Sequence, residues 1–207
     1  NKINVFFPYS RCECGLLYYK IYPDDKSLNK LYSNQKDNVI SGEIALDIKT
    51  KNKYLQQIDE IISEKSKQLK ILEVGADNGS FLKLIKEKNL NSELYAIELK
   101  MLLNSNGMIF GVVHNERSLM AKILKTRWPA YRLQHPHLFN HETINLFFNS
   151  LKFDKIFIKR TTNFFNLDFL LKHLIMALFK INIKLPKLFP IGLKLGNFSF
   201  LYKKNNY

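Results

Sequence analysis

The chain has 207 residues, 46% of them hydrophobic and 24% charged, with a formal net charge of +14. That length and balance suit one folded domain with appendages, and they exclude collagen-like and wholly disordered chains. Two cysteines one residue apart, Cys12 and Cys14, cannot cross-link distant parts of a fold, so a disulfide-built secreted domain is disfavoured and a reducing cytoplasm is the expectation.

The lysines are spread along the chain and alternate with Asn and Ile. This distribution favours a solvated basic surface over a dedicated nucleic-acid interface, which stays as an alternative. No signal peptide and no run of about 18 apolar residues is visible, so no transmembrane segment is expected. The first residue is Asn1, which suggests a fragment.

In chain order, Cys12-Glu-Cys14-Gly15 precedes a strand-like Leu-Leu-Tyr-Tyr run, and Pro23-Asp24-Asp25 breaks it and caps a short helix over Lys26–Tyr32. A cysteine knuckle followed by a strand resembles half a zinc ribbon. Zinc takes four ligands, usually as two C-x₂₋₄-C pairs. With one shorter pair and no second, Cys12 and Cys14 are weak metal candidates and zinc is not expected in this chain.

Ile48, Leu55, Ile58, Ile61 and Ile62 recur at helical spacing between Asp47 and Ser66, predicting a covering helix. Residues 69–74 read as a buried strand, 75–79 as a glycine-bearing turn, Ser80–Lys88 as a helix and Glu93–Glu98 as a second strand, together a parallel strand–helix–strand unit. Met108–Val113 reads as a strand, His114–Lys125 as a helix and 126–139 as an aromatic, basic loop. A helix capped by Asn140 runs to Leu151. Phe153–Thr161 is a strand, 164–180 an apolar helix, 182–197 a loop and Phe198–Lys203 a closing strand.

The chemistry centres on the turn. Glu73, Gly75 and Gly79 stand at E-x-G-x-x-x-G spacing, and Glu98 ends the next strand. A glycine turn admits a ligand against bare backbone, the following helix offers free amides, and an acid at the end of the second strand suits ribose hydroxyls. Asp77 stands where a dinucleotide fingerprint would have its middle glycine. Elsewhere, His135 and His137 are weak candidates for a general base. Lys122, Lys125, Arg127 and Arg132 form a basic cluster among aromatics. The helix at 164–180 reads as a core or lid helix, with a membrane-surface location as the alternative.

The turn resembles motif I, commonly E/D-x-G-x-G-x-G, of class I S-adenosylmethionine-dependent methyltransferases. RCECGLLYYKIYPDDKSLNKLYSN resembles the end of the cysteine-ribbon lead-in of some bacterial members. LNSNGMIFGVVHN resembles their glycine-led strand segment, with Ser105-Asn106 in place of Pro-Gly and His114 in place of Pro. The stretch from Arg117 to Phe153 resembles the segment that follows, with Trp128, His137, Phe139 and Phe153 at matching places. LKLGNFSFLYKK resembles the closing strand segment. The resemblance implies a cysteine-ribbon remnant and linker over 1–40 and a methyltransferase-like domain over 41–207. It implies an α/β fold: a Rossmann-like, doubly wound, mostly parallel sheet with an antiparallel closing strand. It assigns Glu73, Gly75, Ala76, Asp77, Gly79 and Glu98 to S-adenosylmethionine. It implies methyl transfer to a small-molecule or glycan-precursor acceptor, in a cytoplasmic protein with peripheral membrane association as the variant.

Residues 99–106 stand where the resembling family has two further strand–helix units. At ~30 residues per unit, the sheet is expected to be shortened by about two units and catalysis impaired. The alternatives are a non-catalytic remnant that binds a ligand or partner, and a basic nucleic-acid-binding protein.

Overall fold

A computed structural model describes residues 9–21, 24–27, 44–62, 70–74, 80–88, 93–97, 107–128, 130–131, 135 and 137–205. The elements are β1 (Tyr9–Arg11), β2 (Leu17–Tyr19), α1 (Ile44–Ile62), β3 (Lys70–Val74), α2 (Ser80–Lys88), β4 (Glu93–Ile97), β5 (Met108–His114), α3 (Leu119–Leu124), β6 (His137–Leu138), α4 (His141–Ser150), β7 (Phe153–Arg160), β8 (Asn163–Asn166), α5 (Leu167–Phe179), β9 (Pro190–Leu193) and β10 (Asn197–Lys204). The expected helix over Lys26–Tyr32 and the bridge at 99–106 fall largely or wholly outside the described residues.

The doubly wound, mostly parallel sheet expected from the resemblance is not what forms. Among the described residues the strands make four small sheets, ordered β1-β2-β6, β5-β10-β7, β3-β4 and β8-β9. Every ladder is antiparallel except β3–β4, which runs parallel from Lys70↔Glu93 to Val74↔Ile97. The physical reason lies in the connection after β4. Only residues 98–106 separate it from Gly107. A parallel crossover needs a dozen or more residues, usually including a helix, so β5 cannot follow β4 as the next strand of a wound sheet. Instead β5 takes the last strand, β10, as an antiparallel neighbour, with Asn197 opposite His114 and Lys203 opposite Met108.

β10 organises the core because it is covered on both faces. Its residues alternate with period two. Phe198, Phe200 and Tyr202 pack with Ile144 and Phe148 of α4 and with Phe153. On the opposite face, Leu201 packs with Leu55, Ile58 and Ile62 of α1 and Ile85 of α2. The buried hydroxyl of Ser199 on that face contacts the Gln57 side chain and donates to the Lys159 carbonyl. Gly111 lies directly across from Phe200, and the missing Cβ makes room for its ring.

α4 begins where its sequence says it should. Asn140 Oδ1 accepts from the Glu142 and Thr143 amides at 2.9 and 3.0 Å, and Thr143 Oγ1 accepts from the Asn140 amide at 2.9 Å, a reciprocal capping box. The helix ends before Lys152, which sits at φ 64°. A side chain in the left-handed region is strained where glycine is not. Lys152→Gly is therefore expected to raise stability by about 0.5–1 kcal/mol, read as a higher urea midpoint with an unchanged slope.

A third cluster joins the N-terminal ribbon to the body. β2 pairs with β6 through Leu17↔Leu138 and Tyr18↔His137. Tyr9 and Leu17 pack against buried Ala121, Leu124, Trp128, Ala130 and Leu138. An ion pair locks the same junction. Arg11 donates two parallel bonds to Glu116, at 3.0 and 2.9 Å, and Asn140 Nδ2 donates to the same carboxylate at 2.8 Å. The Glu116 side chain is only 4% exposed. Burial pushes its carboxyl up, but the bonds from Arg11 and Asn140 and the charges of Arg11 and Arg117 outweigh burial and hold it below its ordinary range. A depressed carboxyl stabilises the fold above its unfolded pKa, and the contribution is lost as pH falls through the folded value. Arg11→Ala is expected to cost about 1–3 kcal/mol at neutral pH, since a buried charge loses its main partner while Asn140 and Arg117 remain. The loss should shrink in acid, which urea unfolding at two pH values checks.

Candidate active site

The carboxyl ends of two strands meet at one edge. β5 and β7 both pair antiparallel with β10, so they run parallel to each other and end together, at His114 and Arg160, beside Asn197 and Phe198. α1 ties the start of α2 to β8. Asp47 Oδ2 accepts from Ser80 Oγ at 3.1 Å and pairs with Lys51 at 3.0 Å, and the Lys51 ammonium also donates to Ser80 Oγ. Farther along the same helix, Thr50 Oγ1 accepts from the Phe164 amide at 2.9 Å, and two turns from Asp47, about 10 Å of rise, Tyr54 donates to Asn163 Oδ1 at 3.0 Å. Burial pushes the Tyr54 hydroxyl up to about 12, so it stays protonated and acts as a fixed donor. α1 thus bridges the start of α2 and the strand β8 that follows β7.

A cavity of about 180 Å³ opens at this edge, lined by Val112, Val113, His114, His135, His137, Leu138, Phe139 and Asn197. His114 closes β5. Its Nδ1 is hydrogen-bonded to the Asn197 side-chain amide at 2.7 Å, which orients the ring. The His135 ring meets it edge-on at 4.8 Å, and buried Trp128 backs it at 5.9 Å. Tyr9 donates its hydroxyl to the His135 carbonyl at 3.0 Å, holding that loop position. His137 begins β6 at the exposed rim. An oriented imidazole, two neighbouring histidines and an amide are able to bind a hydroxylated molecule and take a proton from it.

The weak candidates His135 and His137 are therefore brought together, on one cavity. His114 and Asn197 were not singled out as catalytic from the sequence. The available signal was a histidine ending an apolar strand. Of the residues the resemblance assigns to the cofactor, Glu73 lies half-buried on β3, while Gly75, Ala76, Asp77, Gly79 and Glu98 lie outside the described residues.

Cys12 and Cys14 are both exposed free thiols in the β1–β2 turn. That turn is closed by Cys12 N–H to the Leu16 carbonyl at 2.9 Å and by Gly15 N–H to the Cys12 carbonyl at 2.8 Å. The Leu16 backbone, and then Cys12, draw the Cys14 thiol below its usual range. Among the described residues, no group of three or more metal-ligating side chains forms. Lys122 and Lys125 of the expected basic cluster are exposed, whereas the Arg127 side chain and Arg132 lie outside the described residues. No protein-family model and no curated protein matches the chain.

Proposed function

We propose that the chain transfers a methyl group from S-adenosylmethionine to a small hydroxylated acceptor of the sugar or glycan-precursor kind. The observation that carries this reading is the cavity that brings His114, His135 and His137 together, with His114 hydrogen-bonded to Asn197. In this reading the cofactor's carboxylate end lies at the start of α2, where Ser80 Oγ meets the Lys51 ammonium, itself paired with Asp47. At about 180 Å³ the histidine cavity is smaller than the roughly 300–1,000 Å³ of sites that enclose a whole drug-sized ligand. It suits the reacting end of an acceptor.

S-adenosylmethionine supplies an electrophilic methyl group on its sulfonium, which is where the difficult chemistry resides. The protein's part is positional and acid–base. Asn197 orients His114, and His114 Nε2 takes the proton from an acceptor hydroxyl as the oxygen becomes nucleophilic. Val112, Val113 and Leu138 exclude water from that proton transfer. His137, at the rim, holds a second hydroxyl.

A second reading is a protein that binds the cofactor without turnover, favoured by the short 98–106 connection. Incubation with methyl-labelled S-adenosylmethionine and pools of sugar nucleotides and free sugars separates the two. Label in an acceptor, lost on His114→Ala, is the expected result. A folded sample that binds the cofactor and labels nothing would leave the second reading. A folded sample that does neither would overturn both.

A further inference from the structure

α5 and the segment after it form an arm on which many apolar side chains are exposed. β8 leads into it and β9 leads out, paired antiparallel from Asn163↔Leu193 to Asn166↔Pro190. The base is closed by Leu167 N–H to the Phe189 carbonyl at 3.2 Å and by Leu188 N–H to Asp168 Oδ1 at 3.0 Å. The sequence read the helix at 164–180 as a core or lid helix, with a membrane-surface location as the alternative. Instead, Phe179 is 66% exposed, Phe189 64% and Ile181 55%, and Phe169, Leu171, Leu174 and Met176 are exposed as well. Phe169, Met176 and Phe179 fall on one stripe of the helix, being seven and then three residues apart.

Charge on this arm has one sign. Asp168 is the last carboxylate side chain, and it is engaged at the base of the arm. From 169 to 207 there are seven lysines and no Asp or Glu. Lys180, Lys184, Lys187 and Lys194 are all exposed among the apolar residues. Apolar side chains interleaved with cations on a solvent-facing element match the chemistry of a bilayer's headgroup–acyl boundary. A second copy would set lysine against lysine. RNA would satisfy the charges but offers nothing for Leu171, Leu174, Met176 and Ile181. No described helix is long and apolar enough to cross a membrane.

We propose that this arm docks on the surface of an anionic lipid bilayer. Phe179, Ile181 and Phe189 enter the boundary region, and Lys180, Lys184 and Lys187 meet the anionic headgroups. Juxtamembrane lysines bind anionic leaflets through a field that salt screens.

The test is co-sedimentation of the full chain with vesicles of equimolar phosphatidylcholine and phosphatidylglycerol, against vesicles of phosphatidylcholine alone. Binding is expected to be about tenfold or more tighter to the anionic vesicles, and about tenfold or more weaker for the triple variant Lys180→Glu, Lys184→Glu, Lys187→Glu. In Phe179→Trp, emission is expected to shift to the blue on anionic vesicles. These positions are solvent-exposed, and circular dichroism checks that each variant stays folded. Equal or absent binding to the two vesicles would overturn the proposal, as would a bound Phe179→Trp protein with unshifted emission. Binding of RNA in place of vesicles, or a dimer abolished by Phe179→Ser, would replace it.

Discussion

His114→Ala is expected to lower methyl transfer by about 10²–10⁴-fold, the usual contribution of a positioned general base. The imidazole closes β5, its Nδ1 hydrogen-bonded to the Asn197 side chain at 2.7 Å. Asn197 is itself the first residue of β10, directly opposite His114 in the ladder. A base fixed through two paired strands loses little entropy when the acceptor arrives. Asn197→Ala should give a smaller loss, because the ring keeps its contacts with His135 and Trp128 while its hydrogen bond is lost. His137→Ala should act mainly on the acceptor's KM, since that residue stands at the rim. A His114→Ala protein that turns over like the parent would remove the histidine from the chemistry.

Phe200→Ala is expected to destabilise the fold by about 3–5 kcal/mol. Phe200 is 6% exposed at the middle of the strand that holds both neighbours. Its ring lies against Phe148 at 5.2 Å and Tyr202 at 5.9 Å, over the bare backbone of Gly111. Truncation removes the ring and leaves a cavity that β5 and β7 cannot close without breaking register. The pair with Gly111 gives a sharper prediction. Gly111→Ala alone should destabilise, because a Cβ there collides with the Phe200 ring. In a Phe200→Ala background the same change should be neutral or favourable, a non-additive cycle read by urea unfolding.

Most elements could be read along the chain. Asn140 and Thr143 at capping-box spacing define the start of α4, and the alternation of Phe198, Phe200 and Tyr202 marks a strand. The unit from β3 to β4 follows from an apolar run, a glycine turn and a helical period. Pairing partners are a different matter, because they depend on loop reach and on which edges compete. The resemblance supplied a wound sheet, and residues 98–106 are too few to build it. β6, β8 and β9 were missed because strands of two to four residues carry too little periodicity. α5 reads as buried from its leucines, yet its surroundings leave it exposed. His137 shares a cavity with His114 because Phe139 bridges to Asn115 just after β5, which no local pattern records.

The proposed function requires that S-adenosylmethionine bind this chain, with or without turnover. Calorimetric titration of the folded protein with S-adenosylmethionine tests that most directly. Saturable heat at one site per chain, weakened by Lys51→Ala through loss of the cation at the start of α2, is the predicted result. No heat from a sample whose circular dichroism shows it folded would contradict the account.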